Sequence, residues 1–173
     1  MKKKDAVSTH SNSKVLHAKL APTCFATMFA LGMIMPAQAA IVAGNTDKPL
    51  IHTDASGATI VDINKASAGG VSHNVYSEFN VDSKGVILNN SGTVTNTQLA
   101  GQIDGNANMA SGSAKVILNE VRSSDPSQLN GMVEVAGQSA QVIIANPSGI
   151  TCDGCGFINT NHDLPPRLDT TLS

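Results

Sequence analysis

From residue 40 onward, short apolar runs alternate with clusters of Gly, Asn, Asp and Ser. The runs are rich in Val, Ile and Leu and predict strands at 59–63, 86–88, 115–121, 132–135 and 141–145. Turn formers bound most of them: Ser83-Lys84-Gly85, Asn90-Ser91-Gly92, Asn130-Gly131 and Asn146-Pro147-Ser148-Gly149. No long apolar pattern at helical spacing follows residue 40. The Gly-, Asn- and Ser-rich stretch 100–114 reads as a flexible link.

Three segments echo one another: Val86-Ile87-Leu88-Asn89, Val116-Ile117-Leu118-Asn119 and Val142-Ile143-Ile144-Ala145-Asn146. Each is an aliphatic triplet followed at once, or after one Ala, by Asn. Their starts lie 30 and 26 residues apart, a period that suggests stacked repeats. In a parallel β-helix, equivalent strands of successive coils lie over one another. Asn suits the corners, because it tolerates left-handed backbone angles and its amide bonds neighbouring backbone. Periodicity by itself leaves a β-helix and a β-sandwich both open.

Composition favours the narrow solenoid. The whole chain has no Trp and one tyrosine, Tyr76, and only Phe79 and Phe157 supply phenylalanine after residue 40. A compact globule ordinarily fills its centre with aromatics. A solenoid fills its interior with stacked Val, Ile, Leu and Ala.

Residues 1–39 read as an extended signal peptide. Five lysines precede a charge-free apolar run, and Ala37-Gln38-Ala39 supplies the small-x-small pattern for cleavage between Ala39 and Ala40. The run is shorter than the ~20 apolar residues of a spanning helix and is interrupted by Pro22. Cys24 falls within the leader. Without the leader, six of the eleven basic residues and twelve of the thirteen acidic ones remain. An acidic chain lacking a basic cluster argues against a nucleic-acid partner.

The segment 69–91, GGVSHNVYSEFNVDSKGVILNNS, and the segment 145–160, ANPSGITCDGCGFINT, carry a resemblance. With Ile117-Leu118-Asn119-Glu120-Val121 and Val133-Glu134-Val135-Ala136-Gly137 between them, they resemble the amino-terminal secretion domain of two-partner secretion exoproteins. That family includes filamentous haemagglutinin-type adhesins, haemolysins and contact-dependent growth-inhibition toxins. The resemblance covers residues 40–160. It implies an all-β fold: a right-handed parallel β-helix with an amino-terminal cap and extra hairpins. It also implies a role in secretion targeting and fold nucleation. The implied partners are the general secretion machinery and the POTRA domains of a cognate outer-membrane β-barrel transporter. The implied location is the surface or exterior of a Gram-negative cell, reached through the periplasm.

Asn146-Pro147-Ser148-Gly149-Ile150 matches the family's Asn-Pro-Asn-Gly-Ile motif except at Ser148. It either contacts the transporter or only shapes a turn in which Gly149 takes positive φ. Asn74, Asn80, Asn89, Asn90 and Asn119 carry the same two readings. Cys152 and Cys155 lack the helix terminus of a redox site and the further ligands of a zinc site. They are read as a structural disulfide formed in an oxidising compartment, closing a loop too small to reach the ~3 kcal/mol of a 15-residue loop.

No catalytic residue, metal site, cofactor or small-molecule substrate is assigned, and the chain is read as not an enzyme. His73 has no partner assignable by spacing. Asp47, Asp54, Asp62, Asp82 and Asp104 do not form an EF-hand pattern. Residues 161–173, beginning Asn161-His162-Asp163-Leu164-Pro165-Pro166, depart from the family and read as a foreign tail. The expectation is a truncated remnant of a larger exoprotein. The alternative reading is a small secreted adhesin or a polysaccharide-binding β-helix.

Overall fold

Val61, Leu88 and Val135 lie directly over one another on three strands far apart in sequence. That pairing fixes the architecture. The computed structural model describes residues 40–161 and the backbone of 167–169. The leader, its cleavage site up to Ala39, Cys24 and most of the tail lie outside the described residues.

The described strands are β1 (Ile41–Ala43), β2 (Leu50–Thr53), β3 (Thr59–Asp62), β4 (Val71–Phe79), β5 (Val86–Asn90), β6 (Thr95–Thr97) and β7 (Gly101–Ile103). After them come β8 (Val116–Val121), β9 (Ser127–Leu129), β10 (Met132–Gly137), β11 (Gln141–Ala145), β12 (Ile150–Cys152), β13 (Gly156–Ile158) and β14 (Arg167–Asp169). One sheet runs β2-β3-β5-β10-β13, a second runs β1-β4-β8-β11-β14, and a third pairs β9 with β12. A bridge from Val81 to Leu129 extends the third sheet to the first coil. Each coil visits the three sheets in the same order, with parallel pairing between coils. The fold is the expected parallel β-helix. The backbone of β14 continues the second sheet's ladder beyond Thr160.

Register measures the coils. Thr59 pairs with Val86, 27 residues on, and Val133 pairs with Phe157, 24 residues on. Val86 and Val133 are separated by 47 residues. The long second coil holds the antiparallel β6–β7 hairpin and a 3-10 turn at Ala107–Met109. The stretch 100–114 is therefore built structure rather than a flexible link. Ile103, Met109 and Asn106 are buried in it, and the Asn106 amide donates to Ile63 O and Asn89 O.

The three echoing triplets do not all stack. Val86-Ile87-Leu88 lies in the first sheet, paired with β3 and β10. The other two share the second sheet, but Ile117, not Val116, pairs with Val142. The echo placed them one residue out of register, a shift that would turn every side chain to the opposite face.

Aliphatic side chains of successive coils fill the interior: Val61, Leu88 and Val135 face Ile117, Val142 and Ile144, with Leu129 from the third sheet. Tyr76 and Phe79 close the first coil with rings edge to face at 4.9 Å. Tyr76 is fully buried, and its hydroxyl donates to Asn119 Oδ1 at 3.0 Å. Burial pushes its pKa upward. Corner glycines let coils meet. A Cβ on Gly131 would overlap Asp82 O, so only glycine fits where the second and third coils cross over the first.

At the amino end, β1 and β2 pair antiparallel with β4 and β3 and close the first coil. The loop between them is tied down by Gly44 N donating to Val75 O and Val75 N donating to Asp47 O. Asp47 adopts φ 44°, a left-handed conformation. His73 stands beside this loop, with Nδ1 3.6 Å from Asp47 Oδ2 and Nε2 2.8 Å from Glu120 Oε2. Arg122 Nε donates to Glu120 Oε1 at 2.7 Å. Both partners of His73 come from other strands or loops, which is why spacing in sequence did not reveal them. Hydrogen bonds from Arg122 first, then from His73, hold the Glu120 carboxyl below its ordinary value of 4.5.

Two outcomes are expected. Tyr76→Phe leaves Asn119 Oδ1 without its donor in a dry interior and lowers stability by about 1–3 kcal/mol, read as the shift of a urea unfolding transition. Glu120 has a depressed folded-state pKa, so its contribution is full above the unfolded value and fades as pH falls through the folded one. The stability difference between the wild type and Glu120→Gln should therefore shrink as pH is lowered from about 5 to about 3. A difference that stays constant across that range contradicts the assignment.

Candidate functional site

The segment Asn146-Pro147-Ser148-Gly149 leaves β11 and turns the chain into β12. Gly149 N donates to Asn146 O at 3.0 Å, closing a β-turn, and Gly149 takes φ 108° as the sequence predicts. The Asn146 side chain is wholly buried. Its amide nitrogen donates to Asp125 O at 3.1 Å and Ser127 Oγ at 3.0 Å, and its oxygen accepts from Ser148 N at 2.9 Å. Ser148 Oγ donates to Ser123 O at 2.6 Å. The hydroxyl at this position thus adds a third bond that ties the turn to the preceding coil. Pro147 is exposed, and Ile150 is half-buried against the core. In the folded domain this turn presents a proline and little of its asparagine.

The other motif asparagines also reach across coils or corners. Asn74 is buried, accepts from Asn64 N and donates towards Leu118 O. Asn119 accepts from Tyr76 and donates to Ile143 O at 3.2 Å. Asn80 accepts from Gln128 N at 2.8 Å. Asn89 donates to Asp62 Oδ1 and Asp104 O. Asn90 donates to Ala114 O and Gln138 O and accepts from Ala114 N. None of these takes a left-handed backbone angle. Among described residues other than glycine, only Asp47 and Asn159 have positive φ. The left-handed angle is thus corrected and the amide role stands: these residues work through their amides, Asn74, Asn89 and Asn119 from within strands and Asn90 from a strand's end.

Two further asparagines do the same work and were not singled out. Asn64 donates to His73 O and Asp47 O, and Asn159 donates to Val135 O and Gly137 O. The signal was present, since Ile63-Asn64 and Ile158-Asn159 repeat the aliphatic-then-Asn pattern.

Cys152 and Cys155 form a disulfide with Cα atoms 5.3 Å apart. It bridges the end of β12 to the residue before β13, at the corner between the third and first sheets. Asp153 N within this loop donates to Leu129 O of the preceding coil. A polar groove of about 370 Å³ runs beside Asn146, between Ser77–Asn80 and Arg122–Ser127. Among the described residues, no group of three or more His, Cys, Asp or Glu is placed to hold a metal ion.

The comparisons with known proteins agree with this geometry. The TPS secretion domain family matches residues 34–163. A toxin CdiA of Yersinia pestis is 56% identical over 148 residues, covering 83% of this chain and 4% of the toxin. A hemolysin of Serratia marcescens is 46% identical over 139 residues, covering 77% of this chain and 9% of the hemolysin. The crystal structure of the filamentous hemagglutinin secretion domain superposes with a TM-score of 0.64 at 35% identity. That match covers 69% of this chain and 39% of the other. The matched region is thus a small fraction of the length of both relatives. With the family matched across most of the chain and the β-helix shared with a solved member, this chain belongs to the TPS secretion domain family.

Proposed function

We propose that this domain is the export address and folding seed of its chain. The leader, residues 1–39, takes it through the general secretion machinery and is cleaved between Ala39 and Ala40. The mature segment 40–160 is then recognised, before it folds, by the POTRA domains of a cognate outer-membrane β-barrel transporter. The exported cargo is of the adhesin, haemolysin or growth-inhibition toxin type. The domain itself performs no catalysis, and its destination is the cell surface or exterior.

One observation carries the reading. The two ends of the stack are different. Antiparallel β1 and β2 close the amino end, while β12, β13 and β14 are the outermost parallel strands at the other end of the described structure. The amino end is closed to further coils. Each added Val, Ile or Leu contributes roughly 1.5–3 kcal/mol before ordering entropy is subtracted. A coil gains this only by stacking on its neighbour. Folding outside the cell then opposes return without a chemical energy source.

The burial of Asn146 supports a division of labour within the turn motif. Folded, its amide is occupied by Asp125 and Ser127 and faces no partner. We place recognition on the unfolded chain, whose short strands add to a sheet edge of the transporter, a reading that the burial of Asn146 supports. The turn's work comes afterwards, in closing the third coil. The Cys152–Cys155 disulfide holds the next corner.

The test uses the full chain co-expressed with a cognate transporter. Asn146→Ala with Pro147→Ala should lower export severalfold, with unchanged synthesis and accumulation in the periplasm. The transporter's periplasmic domains should capture the reduced, unfolded wild-type chain. Undiminished export of the double variant removes the role given to the turn. Failure of capture removes the POTRA reading.

A further inference from the structure

On the outer face of the first sheet, Ile60, Ile87, Glu134 and Ile158 form one row across four coils. Three are isoleucines and one is a carboxylate, and Glu134 is only 3% exposed. Ile60 and Ile87 of this row, with Ala58 and Ala136, make an apolar strip drawn from the first three coils. The strip is roofed by Ile103, with Leu99 and Ala100, all from the β6–β7 hairpin region of the second coil.

The hairpin tip presents three successive backbone N–H groups, from Gln98, Leu99 and Ala100. Thr97 Oγ1 accepts from Ala100 N at 3.1 Å, so the hairpin satisfies the third by itself. The first two go to Glu134. Gln98 N donates to Oε1 at 2.7 Å and Leu99 N donates to Oε2 at 2.9 Å. Both carboxylate oxygens are thereby bound, and the tip is held against the third coil. Glu134 lies 36 and 35 residues after the two groups it accepts from.

We propose that Glu134 is the keeper of a clasp that orders assembly of the coils. The hairpin precedes its keeper in the chain. Until β10 docks on β5, two tip N–H groups lack their protein acceptor and the outer strip lacks Ala136. Docking of the third coil delivers the carboxylate and completes the strip. The hairpin then closes and straps the first three coils together across their outer face. The second coil's insertion is thus a latch that reports the arrival of the third. The inference concerns the order of folding alone and stands or falls independently of the export reading.

Two measurements on the full chain test it. In native-state hydrogen exchange, Glu134→Ala should accelerate exchange at Gln98 and Leu99 on the order of tenfold to a hundredfold, the loss expected for hydrogen bonds to a charged acceptor. Protection of β5 and β8 should hold. Glu134→Gln, which keeps one acceptor oxygen, should fall between. Unchanged exchange at the tip, or an equal loss throughout β5 and β8, overturns the clasp. In pulse-labelled refolding of the wild type, amides of 95–103 should become protected together with or after those of 132–137. Hairpin protection that precedes β10 overturns the ordering, and this measurement decides even if both variants fail to fold.

Discussion

The winding depends on side-chain amides that reach from one coil to the backbone of another. A narrow coil turns sharply, and at each turn backbone groups leave the parallel ladder and need other partners. Asn90 meets this at one corner by bonding both N–H and C=O of Ala114 and the carbonyl of Gln138. Asn159 does so two coils further on, at Val135 O and Gly137 O. A made hydrogen bond contributes only about 1 kcal/mol net, whereas an orphaned buried group costs about 1–3 kcal/mol. The amides therefore act less as glue than as a condition on where coils can sit. An aliphatic residue of similar size would fill the space and leave the backbone unsatisfied. Because each amide addresses specific carbonyls, it also selects register, which stacked Val and Ile alone would leave free to slip.

This explains which parts of the fold were legible in the sequence. Strands β3, β5, β8, β10 and β11 bring aliphatic residues to the interior, and their apolar runs mark them. Strand β4 is the longest in the structure, yet its inward residues include Ser72 and Asn74, with Val71 and His73 facing outward. Its pattern of polarity is inverted, so hydrophobic periodicity missed it. The echo of triplets detected stacking for only two of its three members, since Val86-Ile87-Leu88 lies in the other sheet, and it aligned Val116 with Val142 because it counted from the first aliphatic residue. Pairing of Asn119 with Ile144 sets the actual register. The turn at Asn146 was legible in full from Pro147 and Gly149. Its bonds to Ser123, Asp125 and Ser127 were not, since they join different coils and no local spacing encodes them.

The amino end shows how the same physics gives the stack a direction. A parallel sheet edge is a template for any extended chain. At the first coil that edge is covered by strands running the opposite way, and the loop joining them is fastened to β4 at Val75 and bordered by His73. Gly44 is part of the fastening, since a side chain there would meet Val75. The parallel edges of the last coil carry no such device among the described residues. Addition of strands is thus opposed at the amino end. Directionality follows from strand polarity and needs no sequence signal of its own.

The carboxylate at position 134 fits this picture better as a device of order than of stability. Removing a carboxylate from water costs several kcal/mol even after relaxation. Two hydrogen bonds to a charged acceptor return about 1.5–3 kcal/mol each. The two terms nearly cancel. An isoleucine at this place would extend the row made by Ile60, Ile87 and Ile158 and would bury apolar area without a desolvation cost. Glu134 supplies what that isoleucine lacks: an acceptor for two particular N–H groups and for no arbitrary apolar surface. A purely aliphatic face would attract the hairpin at any stage of winding, or attract another strand in its place. A carboxylate makes closure depend on one tip meeting one coil, so the insertion in the second coil becomes part of the sequence of assembly rather than an ornament on its outside.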